Sequence, residues 1–364
     1  MDNFSKLVWR TFILMVSLLC FVGTAAAQDE PITIDAKEKI VDDKEAQEKV
    51  AEGIQRESGW YPKLRIGGTA SLNYNKDVVD VIDGTAFTFG LFIKGGLDYV
   101  YKNFEWINNL DIEHQQTKTP SIESWIKSVD KFDFRTLVLF RIPKVEWLGP
   151  FARFRLQTSL FPGYYITDKD IMVRYYSYGT SMDDKTDLSK IKRARMLAAQ
   201  DSIKVTSAGE PLVLTESIGL FINPYSHDLL TVTFKAGAAG QHLFADGGYV
   251  AFDKDDKDPF YDLIELKTTH SLGVEGELEL KGIFTEYANW SLLGNLYYPF
   301  LTSKSHGLKG AELIHSDIEA KISVKISSWA SLDYALTARL RPFITEKWQI
   351  NNTILLNIGF DVFY

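Results

Sequence analysis

The chain has 364 residues, of which 45% are hydrophobic and 24% charged, and its formal net charge is −8. That is too apolar for a disordered chain and too long for a disulfide-held miniprotein. The acidic balance argues against a broad basic surface, so no nucleic-acid partner is expected.

Residues 1–27 predict an export signal. Lys6 and Arg10 give a positive start, Thr11–Val22 an apolar centre, and Ala25, Ala26 and Ala27 a small-residue cleavage site before Gln28. Cys20, the only cysteine, falls inside this segment. A mature chain starting at Gln28 therefore has no thiol for disulfides, Cys-bound zinc or iron–sulfur chemistry. No apolar run of about 18 residues follows, so no membrane-spanning helix is expected. Residues 28–60 form an acidic periplasmic segment, with Val41, Ala46, Val50 and Ile54 as a thin apolar stripe. They predict a short solvated helix or a mobile tail.

From residue 61 to Tyr364 the hydrophobic period is two, the signature of strands. A first strand is expected near 63–74. A second follows with Phe87, Phe89, Leu91, Ile93, Leu97, Tyr99 and Tyr101 on one face. Further strands fall near 103–115, 130–141, 149–161, 212–222, 228–239, 262–280 and 282–299. Glu216 and His270 interrupt the apolar faces of two of them. Ile314–Ile326 and Ala330–Leu340 alternate cleanly. The last strand sets Trp348, Ile350, Ile354, Leu356, Ile358, Phe360, Val362 and Tyr364 in step. The total is roughly twelve, an even number as bacterial membrane barrels require.

Connections alternate in length. Short ones fall at Lys102-Asn103, 142–148, 223–227, Lys281 and Ser327-Ser328, and long ones at 75–84, 116–129, 162–211, 240–261 and 300–311. Short periplasmic turns and long outer loops give that alternation; the brief link at 341–346 departs from it. Aromatic residues such as Trp60, Tyr99, Trp290, Trp329 and Trp348 sit near strand ends, where membrane interfaces favour them. The expected fold is all-β: an antiparallel transmembrane β-barrel of about twelve strands in the outer membrane. A soluble β-protein is the alternative, because alternation alone does not say which face points inward.

The final strand, with Phe360, Val362 and Tyr364 in step, resembles the C-terminal assembly signal of Gram-negative outer-membrane proteins. That resemblance implies barrel-assembly machinery as a partner. The stretches Phe104–Asn109, Lys127–Asp130 and Thr158–Tyr164 are similar to a domain-of-unknown-function family of outer-membrane barrels. This second resemblance supports localisation and implies no activity.

In a membrane barrel the polar alternates face the lumen. The candidates are Arg153, Arg155, Lys267, Glu275, Glu277, His315, Asp317, Glu319, Lys321, Lys325 and Arg339. Both signs are present, so the set suits either a packed ladder of ion pairs or a water-filled pore whose charges tune selectivity. Neither an anion nor a cation preference follows.

Asp253–Asp258 is acidic enough to suggest calcium but lacks the loop glycine and spacing of an EF-hand, and a solvated charge run is the simpler reading. The adjacent pairs His270-Ser271 and His315-Ser316 point to opposite faces of a strand, so neither forms a local dyad. No catalytic residue, metal or cofactor is expected. The segment 162–211, rich in tyrosine and carrying Lys190, Lys192, Arg193 and Arg195, is a candidate constriction, ligand lobe or lipopolysaccharide contact. The leading function is passage or binding of a small polar solute. The alternatives are a closed structural or adhesion barrel and, third, a lipolytic enzyme. Outer-membrane lipid and lipopolysaccharide are the expected surroundings.

Overall fold

The computed structural model describes residues 57–75, 84–177, 191–227, 229–251, 260–285, 287–303, 310–327, 329–342 and 345–363. The expected export signal, most of the acidic segment and Asp253–Asp258 lie outside the described residues, as does Tyr364.

The strands are β1 (Gly59–Asn75), β2 (Gly84–Tyr101), β3 (Phe104–Lys118), β4 (Ile126–Phe140), β5 (Leu148–Thr158), β6 (Gly163–Ile166), β7 (Ile171–Tyr176) and β8 (Ile191–Leu197). They continue as β9 (Ser202–Thr206), β10 (Leu212–His227), β11 (Leu230–Ala251), β12 (Phe260–Thr285), β13 (Ala288–Thr302), β14 (His315–Ser327), β15 (Ala330–Arg341) and β16 (Thr345–Phe363). Twelve of them close a ring in the order β1, β2, β3, β4, β5, β10, β11, β12, β13, β14, β15, β16. Every neighbouring pair in the ring is antiparallel, and β16 returns to β1 through pairs such as Gly67 with Gly359. The ring leaves no free edge, as a sheet in a bilayer must. Its strands run from 11 residues in β5 to 26 in β12, long enough to cross the hydrocarbon core. The barrel begins at Gly59, just ahead of the expected residue 61.

The two faces settle which side is which. Leu91, Ile218 and Ile354 are 69%, 66% and 64% exposed, whereas Asp98, Lys131 and Asp333 are 2% or less. Apolar side chains point out and charged ones point in, the reverse of a soluble core, so the outward belt belongs in lipid. At the end carrying the short turns, Trp60 lies 4.6 Å from Tyr99 and 6.3 Å from Trp106. At the other end Trp125 packs 5.1 Å from Phe89. Exposed aromatic rings thus ring both ends of the belt.

The long connection between β5 and β10 carries strands of its own. Its strands β6 and β9 pair with each other, and β7 pairs with β8. β7 also runs parallel to the start of β12, with Val173 opposite Tyr261 and Tyr175 opposite Leu263. Ile171, Val173, Tyr175, Leu197, Ile203, Tyr261 and Leu263 form its own apolar core. At its far side Gln200 accepts from Glu123 N–H at 2.8 Å and donates to Ser121 O at 3.0 Å, on the β3–β4 connection. The insert therefore reaches along the loop end from β12 to the β3–β4 connection, a cap on that side of the barrel.

Candidate functional site

The lumen is built by alternation. On β12, Glu275, Glu277 and Glu279 are spaced two apart and share the inward face, and on β5 Arg153 and Arg155 do the same. The intervening strands β10 and β11 present Ser217, Gly219, Gly237 and Ala239 inward, side chains too small to fill the space. Arg153 lies along that lane. Its guanidinium donates to Glu277 Oε2 at 2.5 Å and to both oxygens of Glu275 at 2.6 and 2.7 Å, with Ser217 Oγ at 3.3 Å. Lys235 of β11 meets the same Glu277 at 2.6 Å.

Ion pairs continue toward both ends. Near the short turns Lys63 meets Asp98 at 2.8 Å and Arg141 meets Glu105 at 2.8 Å. Further up, Asp333 is held by Lys321 at 3.2 Å, Ser323 at 2.6 Å and Asn357 at 2.8 Å. Arg155 grips Asp133 with two hydrogen bonds, and Lys131 lies between Asp111 at 3.0 Å and Asp133 at 3.4 Å. Arg339 lies 3.3 Å from Glu319 and 3.8 Å from Asp317. Arg155 is within electrostatic reach of Glu319 and Asp317 across the lumen. Toward the loop end Lys127 meets Asp130 at 2.8 Å, and Asp130 also accepts from the backbone N–H of Leu160 and Phe161. Most members are buried, and a buried charge is costly unless an opposite one is at hand.

Of the residues singled out in the sequence, Arg153, Arg155, Glu275, Glu277, Asp317, Glu319, Lys321 and Arg339 lie in this network. His315 is buried against the edge of Tyr297, 5.6 Å between rings. Lys325 is half-buried on the same face of β14 as Lys321. Lys267 stands apart: it is exposed at the loop end, 3.8 Å from Glu265, where irregularities at Leu243/Asp246 and Asp246/Tyr249 break the alternation of β11 against β12. Phe360 points out toward lipid. The side chain of Val362 is outside the described set, like Tyr364.

Sequence reasoning did not single out Lys131, Asp133, Asp111, Asp98 or Lys235 as site residues, although each occupies an alternate position of an expected strand. The cap holds another buried pair that it missed, Arg174 donating to both oxygens of Asp262 at 2.6 and 2.7 Å. Arg174 also lies 4.0 Å above the ring of Phe260. Of the basic cluster, Lys192 meets Glu265 at 2.5 Å and Arg193 lies over Tyr175 at 4.3 Å, while Lys190 is outside the described residues. Among the described residues no three or more His, Cys, Asp or Glu side chains are grouped to hold a metal ion.

No family model matches the chain, so the resemblance to one unassigned barrel family gains no support, and no curated protein matches it. Solved structures do. The translocator domain of the autotransporter NalP from Neisseria meningitidis is 8% identical, with 87% of this chain and 93% of that one covered at a TM-score of 0.36. The COG4313 outer membrane channel from Pseudomonas putida F1 is 7% identical, with coverages of 84% and 96% and a TM-score of 0.37. The NanC porin is 7% identical, covering 83% and 99% at 0.33. The architecture stands on the chain's own strand pairing and inverted faces: a closed, membrane-spanning antiparallel barrel of twelve strands.

Proposed function

We propose that this chain is an outer-membrane channel that passes a small polar solute through its charge-lined lumen. The observation that carries this reading is the file of ion-paired side chains of both signs, from Lys63–Asp98 at one end to Lys127–Asp130 at the other. Fixed charges of both signs offer a hydrated solute replacement partners along its path. Arg153 is the waist of that path, because it joins walls on β5 and β12. On this reading the chain is not an enzyme. Its N-terminal 27 residues are removed on export, its short turns face the periplasm, and its last strand is what the assembly machinery receives.

The burial of the same network favours a second reading, a closed barrel that acts through its cap. Single-channel recording of the folded protein in a planar bilayer separates the two. Discrete, reproducible conductance steps support the channel. Silence from protein shown to be inserted and folded supports the closed barrel.

A further inference from the structure

Glu216 and His270, the two residues that interrupt the apolar faces of their strands, flank one histidine on the outside of the barrel. Between them stands His242 of β11, which is paired in register with His270 of β12. The two Nδ1 atoms are 2.9 Å apart. On its other side His242 Nε2 lies 3.4 Å from Glu216 Oε1. Gly240 makes that approach possible: a Cβ there would sit 3.1 Å from Glu216 Oε1 and 3.4 Å from His242 Nε2. The His270 backbone is anchored in turn, its N–H donating to Ser303 Oγ at 3.0 Å and its carbonyl accepting from Ser303 N–H at 2.8 Å. All three side chains open to the surroundings at the loop-end edge of the apolar belt, just beyond Leu272 and Val274.

From this geometry we infer a site for a divalent transition-metal ion of the zinc class, bound by His242 Nδ1 and His270 Nδ1. Glu216 accepts the Nε2–H of His242, which fixes the tautomer whose Nδ1 carries the lone pair. A carboxylate behind a histidine is the usual support of a metal ligand. Without metal, the two Nδ1 atoms share one proton, that of His270. The ion takes that place when His270 changes tautomer, its proton passing by way of solvent from Nδ1 to Nε2, and a tetrahedral Zn2+ with nitrogens at about 2.0–2.1 Å holds the two Nδ1 atoms about 3.3 Å apart, a few tenths wider than the present gap. Two protein nitrogens leave the remaining positions to water or to an oxygen of a neighbouring lipid headgroup. Imidazole pairs select zinc, copper or nickel over magnesium and calcium. The site lies on the lipid-facing side and does not depend on whether the lumen conducts.

The test is Zn2+ titration by calorimetry of the full folded protein in uncharged detergent, with folding verified by heat-modifiable gel migration. One equivalent is expected to bind, H242Q and H270Q to abolish it, and E216Q to weaken it by about 10–100-fold. H227Q is the control and is expected to bind as the parent does. Parent protein that binds no Zn2+, or that binds it as well after H270Q, overturns the site. An E216Q variant of unchanged affinity overturns the orienting role of Glu216. Because the three side chains lie outside the lumenal network, their loss is expected to leave folding intact; Mg2+ in place of Zn2+ in the same titration is expected to give no heat, and equal binding of both ions overturns the assignment of metal class.

Discussion

Arg153 on β5 bonds Glu277 on β12 at 2.5 Å although β10 and β11 stand between their strands in the wall. The contact is a chord through the lumen rather than a link along the sheet. It ties together parts of the barrel that backbone pairing leaves independent.

Replacing Arg153 with Ala opens that chord, leaves Glu277 with Lys235, and takes from Glu275 the guanidinium that holds both of its oxygens. A buried pair broken on one side costs about 3–5 kcal/mol. The expected outcome in bilayer recordings is a larger conductance with a shift toward cations, read from the reversal potential across a salt gradient. The double change Glu275→Gln and Glu277→Gln is expected to shift selectivity the opposite way. A barrel that loses stability in both variants yet never conducts supports the closed reading.

In the cap, Asp262 is fully buried and both of its oxygens are taken by Arg174. Arg174→Ala strands that carboxylate, again at about 3–5 kcal/mol. The loss falls on β7, β8 and the start of β12 rather than on the ring. Limited proteolysis is expected to cut within 162–211 in the variant at protease levels that spare the parent, with the barrel fragments staying together.

Leu220 points outward near the middle of the belt, and Leu229 points outward at a short turn. Leu220→Arg is expected to destabilise the barrel by about 2–4 kcal/mol in lipid vesicles, against about 0–1 for Leu229→Arg near the interface. Urea unfolding in vesicles measures both. Equal costs at the two positions would show that the belt has been placed wrongly along the barrel axis.

The seam between β1 and β16 is tight. Gly67 and Gly359 lie opposite each other, and the ring of Phe92 covers them from inside. A Cβ on Gly67 would sit 2.2 Å from Ile358 O. Gly67→Val therefore forces the two closing strands apart. Slower appearance of the heat-modifiable folded band on refolding is the expected result, with Gly276→Val, where nothing stands within 4 Å, as the neutral comparison.

The ring was legible because lipid and lumen impose one rule on every strand. In β14 and β16 the described residues follow it with few exceptions, such as Asn352 on the outward face, and all twelve expected strands are present. The rule fails where the wall rises above the membrane. Past Leu243 the irregular pairing of β11 with β12 releases the alternation, which is why Lys267 stands where no count of twos would place it. The cap was illegible for a different reason. Its strands have four to seven residues, and its pairing with β12 joins segments far apart in sequence. Cross-lumen partners were hidden too, since alternation gives a side chain's face and not what it meets there. Glu216 and His270 were visible only as interruptions, and it took the register to bring them to His242.

The pairing of Arg174 with Asp262 spans 88 positions. β7 and the stretch of β12 that completes its apolar core are distant in the chain, so the cap has no foundation until β12 is in place. Loop closure over that distance is entropically costly, and contacts of high sequence separation form late. The cap therefore closes only on a β12 already placed, and a cap-specific probe reports the placing of that strand.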